Sequence, residues 1–257
     1  MVALAERFAA RIFDALITAD PITLRRFARI GKSKKLVFYN FPNLDFFPAP
    51  INRLRPFDLV YRGGLSERTG TFVLLEALAL LANTGRSPRL LLIGYFDHPR
   101  TEEALRDRIA GLRLDTFVEI RSRIDHERMA DALSQARIGL SPLLSIPKFQ
   151  KNIPVKIFEY WACGLPVVAS DLAPMRPFFC HGDAGLLVQA GKASELAAAI
   201  EWLLDNPDSA SRMGLRGRGL ITQRFNNSRE VHKLRRILEL IANQSQGGRV
   251  AECSNLS

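Results

Sequence analysis

The stretch NIPVKIFEYWACGLPVVASD, residues 152–171, decides the fold of this chain. Asn152 is a residue type that caps helices, and Pro154 suits the first helical turn. Apolar side chains then recur at helical spacing until Gly164, a residue type that ends helices in the left-handed conformation. The run at 166–170 is short and β-branched, which predicts a buried parallel strand. The stretch therefore predicts a helix of about ten residues followed directly by a strand.

Lys156 and Glu159 lie near the beginning of this predicted helix. A carboxylate accepts hydrogen bonds from both hydroxyls of a vicinal diol, such as that of a nucleotide ribose, and the amides at a helix start favour a phosphate. An isolated lysine and glutamate at this spacing more often form a solvent-exposed ion pair. The spacing alone leaves both interpretations open.

Outward from this stretch, apolar runs alternate with amphipathic segments. Strands are predicted at residues 57–65, 89–96, 117–121, 138–143 and 182–188, and helices at 71–81, 101–111, 125–136 and 193–204. Such alternation predicts an α/β fold with a doubly wound parallel sheet, whose ligands bind outside the carboxyl ends of the strands. The segment 208–227 receives no assignment.

The N-terminal part repeats the pattern on a smaller scale. A helix is predicted at 2–13, a strand at 14–18, a helix at 22–30 and a strand at 34–42. Two strands are too few for a parallel sheet with both faces covered, so this part is a partial second α/β domain.

The composition is that of an ordinary globular protein, with 47% hydrophobic and 24% charged residues in 257. The formal net charge of +10 favours anionic partners, such as nucleotide sugars or acidic lipid. Neither a spanning segment nor a signal peptide is predicted, because the N-terminus is charged and the longest apolar run is too short. We therefore expect a cytoplasmic protein, with contact to the inner face of the membrane left open.

The residue types that bind metals and dinucleotides do not form the corresponding motifs. The cysteines have no C-x-x-C spacing, so neither a disulfide framework nor a zinc site is predicted. The histidines are scattered, and surface positions are the simplest interpretation for them. They are His98, His126, His181 and His232. No G-x-G-x-x-G follows a predicted strand, which disfavours an NAD-dependent oxidoreductase.

Residues 152–171 resemble the signature P-x-K-x-x-E-Y-x-A-x-G-x-P-V-V-A-S-D of family 4 glycosyltransferases, which have the GT-B fold. Almost every position of that signature is met. The segment YNFPNLDFF at 39–47 is similar to the N-x-P-D-x-x-x-F link between the two GT-B domains. The resemblance implies that 1–50 is a remnant of the N-terminal acceptor domain with the linker, and that 51–227 is the nucleotide-sugar-binding domain. Residues 228–243 then form the C-terminal cross-over helix.

The resemblance also implies a donor site. Its predicted donor-binding residues are Gly63, Gly64, Arg68, Gly94, Lys156 and Glu159. Gly94 and Ile124 stand where relatives hold the nucleobase, although core packing is the simpler role for Ile124. Asp183 and Gly185 stand where relatives close the pocket. The glycine pair after the first strand of the domain lets backbone amides approach a diphosphate.

Three positions depart from the family pattern. Gly64 replaces an arginine and Thr69 replaces a lysine, so the charge for the pyrophosphate must come from Arg68 or Arg62, unless both are ordinary turn residues. Lys151 replaces the first of two glutamates that relatives place with seven residues between them, and lysine cannot accept hydrogen bonds from sugar hydroxyls.

The implied activity is transfer of a sugar from a UDP- or GDP-linked donor to a glycan or lipid-linked acceptor, with retention of configuration and without a cofactor or metal. No catalytic residue is identified, because the acceptor-facing residues of the family have no counterpart. One alternative is a non-catalytic binding subunit or truncated remnant that needs a separate N-terminal domain subunit. Another is a nucleotide-sugar epimerase, which would turn over its substrate without any acceptor.

The sequence also supports predictions for two segments outside the predicted donor site. The run 25–35 is basic, which suits a solvated face or peripheral contact with anionic lipid; nucleic acid is disfavoured, because no binding motif accompanies the run. Residues 244–257 are polar and lack periodicity, so a disordered tail is predicted.

Overall fold

The computed structural model describes residues 6, 8, 10–28, 34–48 and 54–253, with side chains as far as residue 243. The chain divides into two compact units, one formed by 42–225 and a smaller one formed by residues up to 41 together with those from 226 onward.

The regular elements follow the alternating pattern. The strands are β1 (Ala15–Thr18), β2 (Lys34–Val37), β3 (Phe57–Gly64), β4 (Leu90–Tyr95), β5 (Val118–Arg121), β6 (Ala136–Ser141), β7 (Val167–Ser170) and β8 (Gly185–Val188). The helices are α1 (Pro21–Arg25), α2 (Thr71–Asn83), α3 (Pro99–Gly111), α4 (His126–Leu133), α5 (Val155–Ala162), α6 (Arg176–Phe179), α7 (Ala193–Asp205), α8 (Pro207–Gln223) and α9 (Asn227–Cys253). Short 3-10 turns lie at Leu44–Phe46 and Glu67–Thr69.

The larger unit contains one six-stranded sheet in the order β5-β4-β3-β6-β7-β8. All five pairings are parallel, so the predicted doubly wound α/β fold is confirmed. The chain runs outward from β3 to β5 and then returns to β6 on the other side of β3. This reversal opens a crevice between the carboxyl ends of β3 and β6, the usual ligand position in such a sheet.

The core of this unit explains why its strands could be predicted as continuous apolar runs. Residues 90–93 of β4 are almost completely buried, because helices cover both faces of a parallel sheet. Helix α2 packs against α7, and α5 packs against α8. The sheet therefore holds the helix at residues 155–162 at a fixed position beside its carboxyl edge.

Helix α5 begins later than the sequence predicts. Pro154 occupies the cap position and makes no side-chain capping bond, so the prediction that Asn152 caps this helix is wrong. A residue before proline is disfavoured in the helical conformation, so Ile153 is not part of the helix. Asn152 therefore lies too far upstream to cap the first helical turn. The helix ends as predicted, with Gly164 at φ 70°.

Helix α8 occupies the segment that the sequence left unassigned. Its three glycines lower its intrinsic helix propensity, but two of them face neighbouring groups at close range. A Cβ at Gly217 would lie 2.5 Å from Cδ1 of Trp161, and a Cβ at Gly214 would overlap the carbonyl of Gly164. Tertiary packing against α5 therefore explains a helix that propensity alone does not predict.

The smaller unit contains a two-stranded parallel sheet of β1 and β2. Helix α1 is capped by Asp20 and ends at Arg25, shorter than predicted. Within this unit, the backbone amide of Tyr39 donates to Glu230 Oε2 at 3.0 Å. Part of the basic run, including Arg29 and Lys32, lies outside the described residues.

Helix α9 continues through Cys253, where the sequence predicts a disordered tail from residue 244. An established helix adds further residues at little cost, which explains the longer element. Residues 254–257 lie outside the described part of the chain. None of the described helices is long and apolar enough to cross a membrane.

Candidate functional site

The candidate site lies where β3 and β4 end side by side. Gly63 pairs with Gly94 in the parallel register, and a Cβ at Gly94 would overlap the carbonyl oxygen of Gly63. Glycine at position 94 therefore allows the two strand ends to approach each other. The predicted residues Gly63, Gly64 and Gly94 are brought together at one edge of the sheet.

Tyr160 joins this edge to the neighbouring strand. Its hydroxyl accepts a hydrogen bond from the backbone amide of Arg62 at 2.8 Å and donates one to the carbonyl of Leu140 at 3.1 Å. Burial raises the pKa of this phenol well above 10, so the hydroxyl keeps the proton that it donates. Together, the two hydrogen bonds connect Tyr160 to β3 and to β6, and they fix α5 at the point where the strand order reverses.

Glu159 is a buried carboxylate at the start of this crevice. Its side chain is 1% exposed, and its Oε2 lies 3.1 Å from Nε of Arg62. That contact lacks hydrogen-bond geometry, so Oε2 has no hydrogen-bond partner among the described residues. Burial raises the pKa of the carboxyl group, and the charges of Arg62, His126 and Lys156 oppose that rise. A buried acceptor without a donor indicates a place for a ligand group.

Lys156 lies one helical turn before Glu159 and is also buried. Its Nζ lies 4.0 Å from the centre of the Tyr61 ring, a cation–π contact. It also lies 3.0 Å from the position that a Cβ would take at Gly63. The described residues include no carboxylate in a close ion pair with this ammonium group, which lies beside the glycine turn and within electrostatic range of Glu159.

Thr69 stabilises the glycine turn with its hydroxyl group. Its Oγ1 accepts from the amide of Ser66 at 3.1 Å and lies 2.8 Å from the carbonyl oxygens of Gly64 and Ser66. Gly70 follows at φ 80°, where a Cβ would overlap the carbonyl of Pro142. The residue that replaces the family lysine thus supports the backbone of the turn and supplies no charge.

Arg68 is separated from the buried lysine and glutamate. Its side chain is 67% exposed, and Nη2 lies 3.3 Å from Oδ2 of Asp97. Exposed pairs of this kind contribute only about 0–1 kcal/mol to stability. Lys151, at the position of the first family glutamate, is exposed in the turn before α5.

A cavity of about 410 Å³ opens beside the glycine turn. It is lined by Arg62, Gly63, Ile93, Gly94, Tyr95, Arg123, Ile124, Asp125, His126 and Met129. Its volume lies within the range of about 300–1,000 Å³ that is usual for small-molecule sites. Of the predicted residues, Gly63, Gly94 and Ile124 line this cavity, whereas Gly64, Arg68, Lys156, Glu159, Asp183 and Gly185 do not.

His126 is exposed, as the sequence predicts, and it also lines the cavity. The edges of two linker rings hold it, with ring centroids 5.2 Å away for Phe46 and 5.7 Å for Phe47. A single histidine at the start of a helix carries no sequence signal for a site, so only the fold reveals this placement. Among the described residues, no group of three or more His, Cys, Asp or Glu could hold a metal ion.

Comparison with known proteins gives one family. The profile of the family described as "Glycosyl transferases group 1" matches residues 56–206. An amylovoran biosynthesis glycosyltransferase, AmsK of Erwinia amylovora, is 29% identical over 189 residues, which are 73% of this chain and 46% of that protein. A phosphatidyl-myo-inositol mannosyltransferase of Mycobacterium leprae is 30% identical over 184 residues, which are 72% of this chain and 46% of that protein. The chain thus spans about half the length of these relatives.

Solved structures share the fold. Sucrose-phosphate synthase of Thermosynechococcus elongatus superposes with a TM-score of 0.77 at 23% identity, over 94% of this chain and 62% of that one. Anabaena HepE, solved in complex with UDP, superposes with a TM-score of 0.75 at 18% identity, over 92% of this chain and 66% of that one.

Proposed function

Because this chain belongs to the group 1 glycosyl transferases, we propose that its larger unit binds the nucleotide-sugar donor of a sugar transfer reaction. The observation that carries the proposal is the pair of buried groups on α5. In the described part of the chain, Oε2 of Glu159 has no hydrogen-bond partner, and the buried Lys156 forms no close ion pair with a carboxylate. A nucleoside diphosphate supplies what each one lacks, a diol and an anion.

Each part of the donor has a matching group. The ribose hydroxyls donate to the carboxylate of Glu159, and the diphosphate lies against Lys156 and the backbone of the turn at Gly63 and Gly64. In the transfer step, the bond between the anomeric carbon and the phosphate oxygen breaks, the acceptor hydroxyl oxygen bonds to that carbon, and the hydroxyl proton passes to the leaving phosphate oxygen. Positive charge placed at the leaving diphosphate stabilises the negative charge that develops there.

The proposed substrates are a UDP- or GDP-linked sugar and a glycan or lipid-linked acceptor, with retention of configuration. The UDP complex of Anabaena HepE makes UDP the first nucleotide to test. The names of the relatives include a mannosyltransferase that acts on phosphatidyl-myo-inositol, which places lipid acceptors among those to be tried.

An alternative with its own support is a donor-binding subunit that needs a separate acceptor domain. The described part of the smaller unit contains a sheet of only two strands, too small to form one wall of a cleft without further strands. Such a subunit would bind the nucleotide without transferring sugar to added acceptors, whereas transfer by the purified chain favours the enzyme.

Calorimetric titration with UDP, GDP and their sugars tests the donor site. We expect wild type to bind one of these nucleotides, and Glu159→Ala to weaken binding by about tenfold or more, because hydrogen bonds to a charged group contribute about 1.5–3 kcal/mol. Glu102→Ala is the matched control, since Glu102 pairs with Arg106 on the exposed face of α3. Equal binding by wild type and Glu159→Ala would refute the assignment.

A further inference from the structure

The glycine turn lacks the two cations that relatives place there, since positions 64 and 69 are glycine and threonine. We propose that Arg62 supplies the missing charge: its guanidinium, which lies against Glu159 in the structure, binds the donor diphosphate when the ribose hydroxyls donate to Glu159. This inference rests on the proposed function and assigns a specific residue to it.

Arg62 is placed for such an exchange. It lies on β3 directly before the turn, and its side chain lines the cavity beside Gly63. The backbone amide of Arg62 is fixed by the hydroxyl of Tyr160 at 2.8 Å. Its side chain is 28% exposed, so the guanidinium is only partly enclosed by neighbouring groups.

The other arginines near the cavity are less well placed. Arg68 is largely exposed and pairs with Asp97. Arg123 follows β5, which is two strands away from β3 in the sheet order. Arg62 is therefore the arginine that borders both the carboxylate and the turn.

The exchange leaves both charged groups with a partner. In the structure, the Nε of Arg62 lies 3.1 Å from Glu159 Oε2 without forming a well-aligned hydrogen bond. When ribose hydroxyls donate to Glu159, the guanidinium moves to the diphosphate, which it can bind through two nitrogens. A nucleoside without phosphate displaces Arg62 but offers it no new anion. Arg62 thus links affinity for the ribose to the presence of the diphosphate.

Calorimetry with uridine and UDP tests this link, with guanosine and GDP used in parallel. We expect Arg62→Gln to weaken UDP or GDP binding by about 10- to 100-fold, the range for charge-assisted hydrogen bonds, while nucleoside binding stays equal or becomes tighter. Arg62→Lys keeps a charge but loses the two-nitrogen geometry, so we expect a smaller loss. Arg106→Gln, on the exposed face of α3, is the matched control.

The contrary outcomes are distinct. If Arg62→Gln weakens nucleoside and nucleotide equally, Arg62 only positions Glu159 and the proposal fails. If Arg68→Gln selectively loses the diphosphate contribution while Arg62→Gln does not, the charge belongs to Arg68 and the proposal also fails. If wild type binds no nucleoside or nucleotide, the proposed function itself fails. Thermal unfolding of each variant shows whether an affinity loss reflects a folding defect, and Arg62→Lys remains decisive if Arg62→Gln does not fold.

Discussion

Glu159, the carboxylate proposed to bind the ribose, has a cost in folding stability. The carboxyl group is buried, and burial raises its pKa above the ordinary value of 4.5, although Arg62 and Lys156 oppose that rise. The unfolded chain therefore releases this proton more readily than the folded protein. Such a cost is common where binding requires a buried polar group that the fold alone does not need.

The sign of this effect gives a prediction for Glu159→Gln. Below about pH 4 both states carry the proton, so the group contributes little. As the pH rises through the ordinary carboxyl range, the unfolded state loses its proton first and the folded state becomes relatively less stable. We expect Glu159→Gln to be more stable than wild type near pH 7.5, by about 0.5–2 kcal/mol, with the difference shrinking toward pH 4.

Urea unfolding at the two pH values measures this difference. Glu102→Gln serves as the control, because its carboxylate lies on the surface beside Arg106. A wild type that is more stable than Glu159→Gln at pH 7.5 would show that the carboxylate and Arg62 stabilise the fold, contrary to this account.

At the scale of elements, α8 supports α5 from behind the site. Gly217 and Gly214 bring the backbone of α8 against the C-terminal end of α5, next to Trp161 and Gly164. The indole Nε1 of Trp161 donates to the carbonyl of Ala184 at 2.9 Å, which fixes the ring from the other side. Trp161 therefore has little room to move if α8 gains a side chain.

A pair of alanine substitutions in α8 tests this packing. Gly217→Ala places a methyl group 2.5 Å from Trp161 Cδ1, and we expect a loss of about 1–3 kcal/mol in unfolding free energy, as for other overpacked cores. Gly219→Ala meets no atom within 4 Å, so we expect a gain of about 0.5–1 kcal/mol from the higher helix propensity. Equal stability of the two variants in urea unfolding would contradict the close packing of α8 on α5.

The strands and helices of the larger unit show which structural features the local sequence predicts and which it does not. The strands of the larger unit could be predicted because burial on both faces requires continuous apolar runs. Helix α8 could not be predicted, because its glycines have low helix propensity, and only contacts with the sequence-distant Trp161 and Gly164 explain two of them. The start of α5 was misplaced because the effect of Pro154 on the preceding residue outweighs the capping preference of Asn152.

At the scale of the whole molecule, the family motif named residues that the fold brings close together, but not how they pair. Gly63 and Gly94 lie together because parallel strands end at a common edge, and α5 brings Lys156 beside Gly63. The pairing of Arg62 with Glu159 joins residues from distant parts of the chain, and no local sequence pattern predicts it. The same holds for His126, whose placement in the cavity depends on the linker rings at positions 46 and 47.

The central claim is that a nucleoside diphosphate binds at this edge, with its ribose on α5 and its diphosphate at the glycine turn. A crystal structure of the chain grown with UDP, or with GDP if that nucleotide binds more tightly, tests it most directly. We predict ribose hydroxyl oxygens within hydrogen-bonding distance of the Glu159 carboxylate, phosphate oxygens beside Gly63 and Lys156, and the Arg62 guanidinium on the diphosphate. A nucleotide bound elsewhere, with Arg62 still paired to Glu159, would contradict the account.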